Sequence, residues 1–429
     1  MSMYAGKKPV TVMMRGRSRD GQKGLERIME RMNQGVGPIR MDSFEKRTDK
    51  SSSDLYFYYY GMLQHQQNML QDHIRTGTYF AAITENLSDF QGKTVMDVGC
   101  GSGILSFFAV QAGARKVYAV EASNMAIFAK RLVEANPSLG SRIQVIQGRV
   151  EEIVLPEKVD VLVSEPMGTL LVNERMLETY FYARDHHLKP GGKMFPASGT
   201  IYLSAFSDEQ LHSEIASKSA FWQHDNFYGV DLSSLQSESS ESYFSQVVVD
   251  QIMPNVLVSN SVMHRIDFST CTGDDLLDFE IPLSLQVGKP CTVHGIASWF
   301  DVTFDGATCP RVLSTSPGMP VTHWYQLRCV LKQPIQIYNA GDTIKGVFRL
   351  KAHTRQSYDL ILEMSAPPHP QRAWTEPQHS SGEFDLKEPY YRQLVHPSWE
   401  SPSTTDFHTF ASYNRQDMAT TSDTKRYIV

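Results

Sequence analysis

An α/β domain on a parallel sheet, followed by a domain of antiparallel strands, is the fold class this 429-residue chain predicts. Three observations carry it. Residues 95–121 (VMDVGCGSGILSFFAVQAGARKVYAVE) read as strand, glycine turn, helix and strand. Strand and helix patterns keep alternating to about residue 195. From residue 200 to 364 the apolar period changes to two, with glycine and proline between the runs.

Residues 1–52 are basic and aperiodic, with Arg15, Arg17 and Arg19 around Gly16. A flexible tail is expected there. A nuclear-import or nucleic-acid contact is the sharper reading, and the RGR run is itself modifiable. The aromatic, amphipathic stretch that follows places Met62, Gln66, Met69 and His73 at helical spacing. Such a stripe is either core or, given its place before the glycine turn, a helix that folds over a nucleoside and excludes water.

Residues 95–98 form the first strand, with an acid at Asp97. Gly99, Gly101 and Gly103 allow positive φ and a close approach of backbone to ligand. A helix over 104–112 and a strand over 117–120 lead to Glu121, an acid placed to take both hydroxyls of a ribose. The spacing is G-x-G-x-G, not the G-x-G-x-x-G of dinucleotide sites. Asp97 also adds negative charge where a pyrophosphate would need a positive field. S-adenosylmethionine carries no phosphate, and its cationic amino and sulfonium groups suit that acid.

The pattern continues with a helix over 125–135 and a strand over 143–147 that closes on Glu151 and Glu152. A strand over 159–163 runs into Glu165, the turn Pro166-Met167-Gly168, and Glu174. Glu174 by itself reads as a helix N-terminal acid with a favourable dipole. Two acids bracketing a Pro/Gly loop at the carboxyl edge of a cofactor sheet instead suggest one convergent site. KPGGK at 189–193 marks the expected end of this domain. Alternating runs then fall at 279–287, 295–304, 324–331, 344–350 and 358–364. Residues 219–235 break the alternation, and Phe221, Trp222, Phe227 and Tyr228 there are either buried or a contact arm. Beyond about residue 395 the chain is Ser/Thr-rich, and disorder is expected.

Composition narrows the function. The net charge of −6 gives no global basic field for nucleic acid. No apolar run approaches the roughly 20 residues of a membrane span, and the N-terminus lacks a secretory core. Five scattered cysteines without a CxxC pair indicate neither a disulfide framework nor a zinc site, and so an intracellular protein.

Taken together, these motifs resemble the protein arginine methyltransferases, within them the coactivator-associated (type I) branch. The resemblance rests on Tyr56-Phe57-x-x-Tyr60, Arg75-Thr76-Gly77-Thr78-Tyr79, Val98 to Gly103, Ser164-Glu165-Pro166-Met167-Gly168 and Thr322-His323-Trp324, in order. Proline at 166, where most relatives carry tryptophan, points to that branch. The resemblance implies a Rossmann-like S-adenosylmethionine-dependent methyltransferase domain (53–195) and an antiparallel β-barrel domain (196–394). It also implies a dimerisation arm (219–235) and hence a homodimer, with tails at 1–52 and 395–429.

The same resemblance implies residue roles. Gln66, Arg75, Gly99, Glu121, Glu151 and Thr179 would line the cofactor site, Arg75 facing the cofactor carboxylate, beside the Asp97 and Gly101 that the strand and turn already suggest. Glu165 and Glu174 would hold the substrate guanidinium, with Tyr60 and Trp324 on the substrate side. His323 would pair with Asp72, and Met69 matches a methionine associated with asymmetric product. No metal is implied. Substrates would be protein tails such as histones, in nucleus and cytoplasm. Thr169 stands where close relatives carry tyrosine, which puts the packing of the acidic loop in question. The pleckstrin-like domain of the animal enzyme has no room ahead of residue 53.

Chemistry supports the pairing of acids independently. A guanidinium stays protonated and offers five donors in a rigid fork. Two carboxylates fix one terminal nitrogen and offset the approach of two cations. The proton released on methylation goes to His323 with Asp72 or to Glu174, and the sequence leaves both open. Two other function classes stand beside the enzyme: a scaffold that keeps the fold without catalysis, and a small-molecule methyltransferase. The second explains neither the paired acids nor the β domain.

Overall fold

The computed structural model describes residues 47–369 and 376–392. The expected tails therefore fall mostly outside the described residues. Residues 47–52 do not belong to a tail: Thr48 is buried, and a helix starts at Lys50.

The aromatic stretch is three helices, not one: α1 (Lys50–Tyr60), α2 (Leu63–Gln71) and α3 (His73–Thr84). Extended backbone at Met62 and Asp72 breaks the chain twice, so the stripe Met62, Gln66, Met69, His73 does not lie on one face. Asp72 caps α3, its Oδ1 accepting from the Arg75 N–H at 2.9 Å.

Five parallel strands follow: β1 (Thr94–Val98), β2 (Lys116–Glu121), β3 (Ile143–Gln147), β4 (Val159–Ser164) and β5 (Leu188–Phe195). Between them come α4 (Ile104–Gln111), α5 (Met125–Ala135) and α6 (Met176–His187). The sheet order is β3-β2-β1-β4-β5, all pairs parallel. Central β1 is buried at every residue, as expected when helices cover both faces, while edge β3 is mixed. KPGGK ends nothing. It lies inside β5, where the pairing with β4 shifts register between Val159 and Val161.

The second sheet begins three residues on. It comprises β6 (Ser198–Phe206), β7 (Gln246–Asp250), β8 (Leu257–Asp267), β9 (Asp278–Gln286), β10 (Cys291–Phe304), β11 (Arg311–Ser314), β12 (Gln326–Ile337), β13 (Thr343–His353), β14 (Ser357–Ala366) and β15 (Gln378–Tyr391). Their order is β8-β6-β10-β12-β7-β15-β14-β13-β9, with β11 on β10. A bridge from Ser259 to Val287 brings the two ends together, so the sheet is a nearly closed barrel. It is mixed rather than wholly antiparallel, because β7 and β15 run parallel. In β9 the alternation is strict, with Ile281, Leu283 and Leu285 buried.

Between β6 and β7 two helices, α7 (Glu209–Ala220) and α8 (Gln236–Phe244), carry an irregular excursion. Buried residues of both sheets form one core, in which Tyr79 meets Phe304 edge-on at 4.8 Å. Buried Asn86 adds a polar latch: its Oδ1 accepts from the N–H of Thr308 and Cys309, and its Nδ2 donates to the Cys309 carbonyl. This latch ties the β10–β11 loop to the end of α3. His323 and Trp324 bring the barrel side against the carboxyl edge of the parallel sheet, bonding Asp72 and Met167.

Candidate active site

At that edge the glycine turn has φ of 70° at Gly99, 53° at Gly101 and 85° at Gly103. The positive φ demands glycine at 101, and a Cβ there would lie 2.6 Å from Gln66 Oε1, so that side chain would have to shift. Gln66, on α2, accepts from the Ser102 N–H at 3.2 Å and donates to the Tyr60 carbonyl at 3.3 Å. It staples the aromatic helices onto the turn. Glu121 ends β2 and is buried, Oε2 accepting from the Gly101 N–H at 2.8 Å and Oε1 from the Ser123 N–H at 2.7 Å. A carboxylate has about four lone-pair sites. Two stay available for donors in the cavity.

The acidic loop is a tight hairpin. Gly168 pairs with Leu171, and Leu170, Leu171, Glu174 and Arg175 all have positive φ. Such conformations cost each non-glycine residue on the order of 1 kcal/mol and persist only where surroundings impose them. Trp324 Nε1 donates to the Met167 carbonyl at 3.0 Å, and the Tyr79 hydroxyl to that of Ser164 at 2.8 Å. The loop closes with Thr169 in place, whose carbonyl accepts from the Asn173 N–H at 3.2 Å.

Glu165 Oε2 accepts from Arg75 Nε and Nη2, both at 3.0 Å. Burial nevertheless raises its pKa above the usual carboxyl range, against the opposing pull of Arg75. Glu174 takes the Tyr60 hydroxyl on both oxygens, at 2.9 and 2.8 Å. Its pKa is pushed up to about 7 by burial, with Tyr60 opposing and the charge of Glu165 adding. What exposure the two acids keep is to the cavity they line. Two buried carboxylates held apart from ordinary ionisation form a site that a cation would relieve.

Asp72 Oδ2 accepts from both the backbone N–H and the Nδ1–H of His323, at 2.8 and 2.7 Å. Burial works against its ionisation, but the hydrogen bonds and charge of His323 outweigh it and hold the pKa below the usual value. The pair fixes one ring tautomer and leaves Nε2 of His323 as the acceptor.

A cavity of about 410 Å³ joins these groups. Tyr60, Gln66, Met69, Arg75, Gly99, Gly101, Glu121, Glu151, Glu165, Glu174, Thr179, His323 and Trp324 all line it. Asp72 stands behind His323. Asp97 is not in the lining at all. As alternation along β1 dictates, it points toward α4, where Oδ2 accepts from the Ser106 hydroxyl at 2.7 Å. Among the described residues its Oδ1 has no hydrogen-bond partner, and burial raises its pKa to about 7. The expected direct service of Asp97 to a cationic ligand therefore does not match its position. Arg75 faces Glu165 in this structure, which places it on the boundary between the two halves of the cavity.

Two contributors escaped the sequence reading. Tyr391, the last residue of β15, lines the same cavity. Arg47 reaches Glu151 and Thr179, and its only sequence signal was membership of a basic tail.

Residues 197–366 match the model for the arginine methyltransferase oligomerization subdomain, and residues 72–203 that for ribosomal protein L11 methyltransferase. The chain is 52% identical over 387 residues to the probable histone-arginine methyltransferase 1.4 of Arabidopsis thaliana, covering 88% of this chain and 72% of that one. The chain belongs to the protein arginine methyltransferase family. Within it the chain is similar to the CARM1 branch. It is 55% identical over 356 residues to a probable histone-arginine methyltransferase CARM1 of Oryza sativa, covering 81% of this chain and 66% of that one. The chain thus spans about two thirds of the length of the rice relative. Among solved structures, protein arginine methyltransferase 10 of Arabidopsis thaliana matches with a TM-score of 0.69 and 31% identity, over 77% of this chain and 100% of that one. The PRMT1 enzyme-prozyme heterotetramer of Trypanosoma brucei with AdoHcy matches at 0.66 and 34%, over 76% and 99%.

Proposed function

We propose that this protein methylates arginine in protein tails, histone tails among them, using S-adenosylmethionine. One observation carries the reading: Glu165 and Glu174 face the same cavity as the glycine turn and Glu121. The cofactor supplies an electrophilic methyl group on a sulfonium. Glu121 suits its ribose hydroxyls, and Glu151, in the loop after β3, with Thr179 on α6 suits its base. Arg75 is the cation available to its carboxylate.

Glu165 and Glu174 receive the guanidinium fork, orient one terminal nitrogen and offset the charge of two cations brought together. The new N–CH3 bond forms as the S–CH3 bond breaks, and its electron pair stays on sulfur. The nitrogen then sheds a proton to the His323–Asp72 pair or to Glu174. Met69 is flexible and adaptable in shape. Beside the reacting nitrogen it leaves room for one methyl, so that monomethyl and then asymmetric dimethylarginine form. The protein works as a homodimer through residues 219–235, on nuclear and cytoplasmic proteins.

The test is labelled S-adenosylmethionine with an arginine-rich histone tail, followed by mass analysis of the modified residue. Asymmetric dimethylarginine is expected as end product. No transfer would leave a binding scaffold, and symmetric product alone would overturn the role of Met69.

A further inference from the structure

Arg47 stands outside the cavity lining yet enters its wall. Nη2 donates to Thr179 Oγ1 at 2.9 Å and to Glu151 Oε1 at 3.2 Å, and Nη1 donates to Glu178 Oε2 at 2.6 Å. The three side chains of these ion pairs are 6–12% exposed, so water does little to weaken the contacts. Thr179 Oγ1 also donates to Glu151 Oε1 at 3.0 Å. One oxygen of Glu151 is thus committed to the protein, and Oε2 is left for a ligand in the cavity that Glu151 lines.

The guanidinium is anchored from elsewhere. The Arg47 carbonyl accepts from Arg175 Nη1 at 3.0 Å, while Arg175 itself grips Glu178 with Nε and Nη2. Two residues on, the Asp49 N–H donates to the Thr354 carbonyl at 2.8 Å, in the turn between β13 and β14. The barrel side therefore holds Arg47, and Arg47 holds a carboxylate of the cofactor side. A planar fork satisfies three acceptors in fixed directions, which a lysine ammonium on the same stem does not.

We propose that Arg47 is a positioning residue for the base subsite: it orients Glu151 so that the free oxygen accepts from the exocyclic amine of the cofactor's adenine. This rests on the cofactor assignment above. A carboxylate only accepts. A 6-oxo purine presents an acceptor where adenine presents a donor, so a correctly held Glu151 discriminates between them.

The experiment is calorimetric binding of S-adenosylhomocysteine and its hypoxanthine analogue to the full chain. Wild type, Arg47→Gln, Arg47→Lys, Glu151→Gln and Glu121→Ala are compared, each with a thermal melt. Wild type should prefer adenine by about tenfold or more, as for a charge-assisted bond. Arg47→Gln should lose most of that preference and bind the adenosyl compound about tenfold more weakly, with Arg47→Lys recovering only part. In turnover, Arg47→Gln should raise the cofactor KM while kcat at saturation changes little. Combining Arg47→Gln with Glu151→Gln should add little to either alone.

Unchanged adenine preference in Arg47→Gln overturns the proposal. So does equal weakening of both analogues with a lowered melting temperature, the mark of a merely structural role. If Glu121→Ala and Glu151→Gln also leave binding untouched, the cofactor assignment itself fails. If they weaken binding and the Arg47 variants do not, only the role of Arg47 falls.

Discussion

Glu174 shows most directly how burial sets chemistry at a single residue. Its pKa near 7 lies above the ordinary carboxyl value, with burial the leading cause. The folded protein therefore keeps a proton that the unfolded chain has released. Its contribution to stability is fully present below about pH 4.5 and is lost as pH rises through about 7. A guanidinium reverses this, because it favours the carboxylate and expels the proton. Peptide kcat/KM should accordingly rise with pH through about 7 and level above it, and peptide binding should release a proton. Calorimetry in buffers of different ionisation enthalpy measures that release. Glu174→Gln keeps the shape and removes the charge. A charge-assisted bond replaced by a neutral one loses about 1.5–3 kcal/mol, or roughly 10- to 150-fold in rate. The variant should lose the proton release and bind S-adenosylhomocysteine as wild type does. A wild-type rate would remove Glu174 from the clamp, and lost S-adenosylhomocysteine binding would reassign it to the cofactor side. Both acids of the clamp were legible from their bracketing of Pro166-Met167-Gly168, a local pattern. Asp97 was misread because strand alternation aims its side chain at Ser106, behind the turn. Arg47 could not be read, since Glu151 and Glu178 lie more than a hundred positions away in the chain.

At the scale of elements, what local chemistry dictates was legible and what distant pairing dictates was not. The turn from Gly99 to Gly103 follows from spacing alone, and its three positive φ values are those the glycines allow. The break between α2 and α3 depends instead on Asp72. That residue breaks the helical pattern to cap α3 and to hold His323, a residue on the barrel side. The parallel pair β7–β15 joins residues 246–249 to 385–391, and no periodicity within either strand announces it. The turn offers a sharp test. Gly101→Ala places a non-glycine residue at φ 53°, which costs about 1–2 kcal/mol. It also drives a Cβ toward Gln66 Oε1, which lies 2.6 Å from the ideal position. Gln66 must then release Ser102, and the aromatic helices lose their staple to the turn. Folding should survive by circular dichroism while S-adenosylhomocysteine affinity falls at least about tenfold, the equivalent of about 1.4 kcal/mol. Unchanged affinity would show that the turn has room to spare.

For the whole molecule, the excursion between α7 and α8 leaves apolar surface that the other described residues do not cover. Phe221 is 43% exposed, Phe227 37% and Tyr228 94%, with Val230 and Leu235 at 56% and 46%. The segment is nonetheless ordered against itself. Phe227 pairs with Val230, Phe221 meets Phe227 edge-on at 5.4 Å, and His224 Nδ1–H donates to the Phe221 carbonyl at 2.6 Å. A preformed arm with an apolar tip fits a partner more than a core. On α5 of the cofactor domain Ile127 is 51% exposed, beside exposed Lys130, Arg131 and Glu134. In the homodimer proposed above, each copy would cover this tip against α5 of the other. Replacing Trp222, Phe227 and Tyr228 with polar residues should give monomers of unchanged helix and strand content, because Phe227 and Tyr228 contribute little to the chain's own core. Activity should fall with the dimer, since α5 follows β2, whose terminal Glu121 lines the cavity. Sedimentation of wild type and variant at micromolar concentration checks the state, and the peptide assay checks the consequence. A monomeric wild type, or a monomeric variant with full activity, would detach the arm from catalysis.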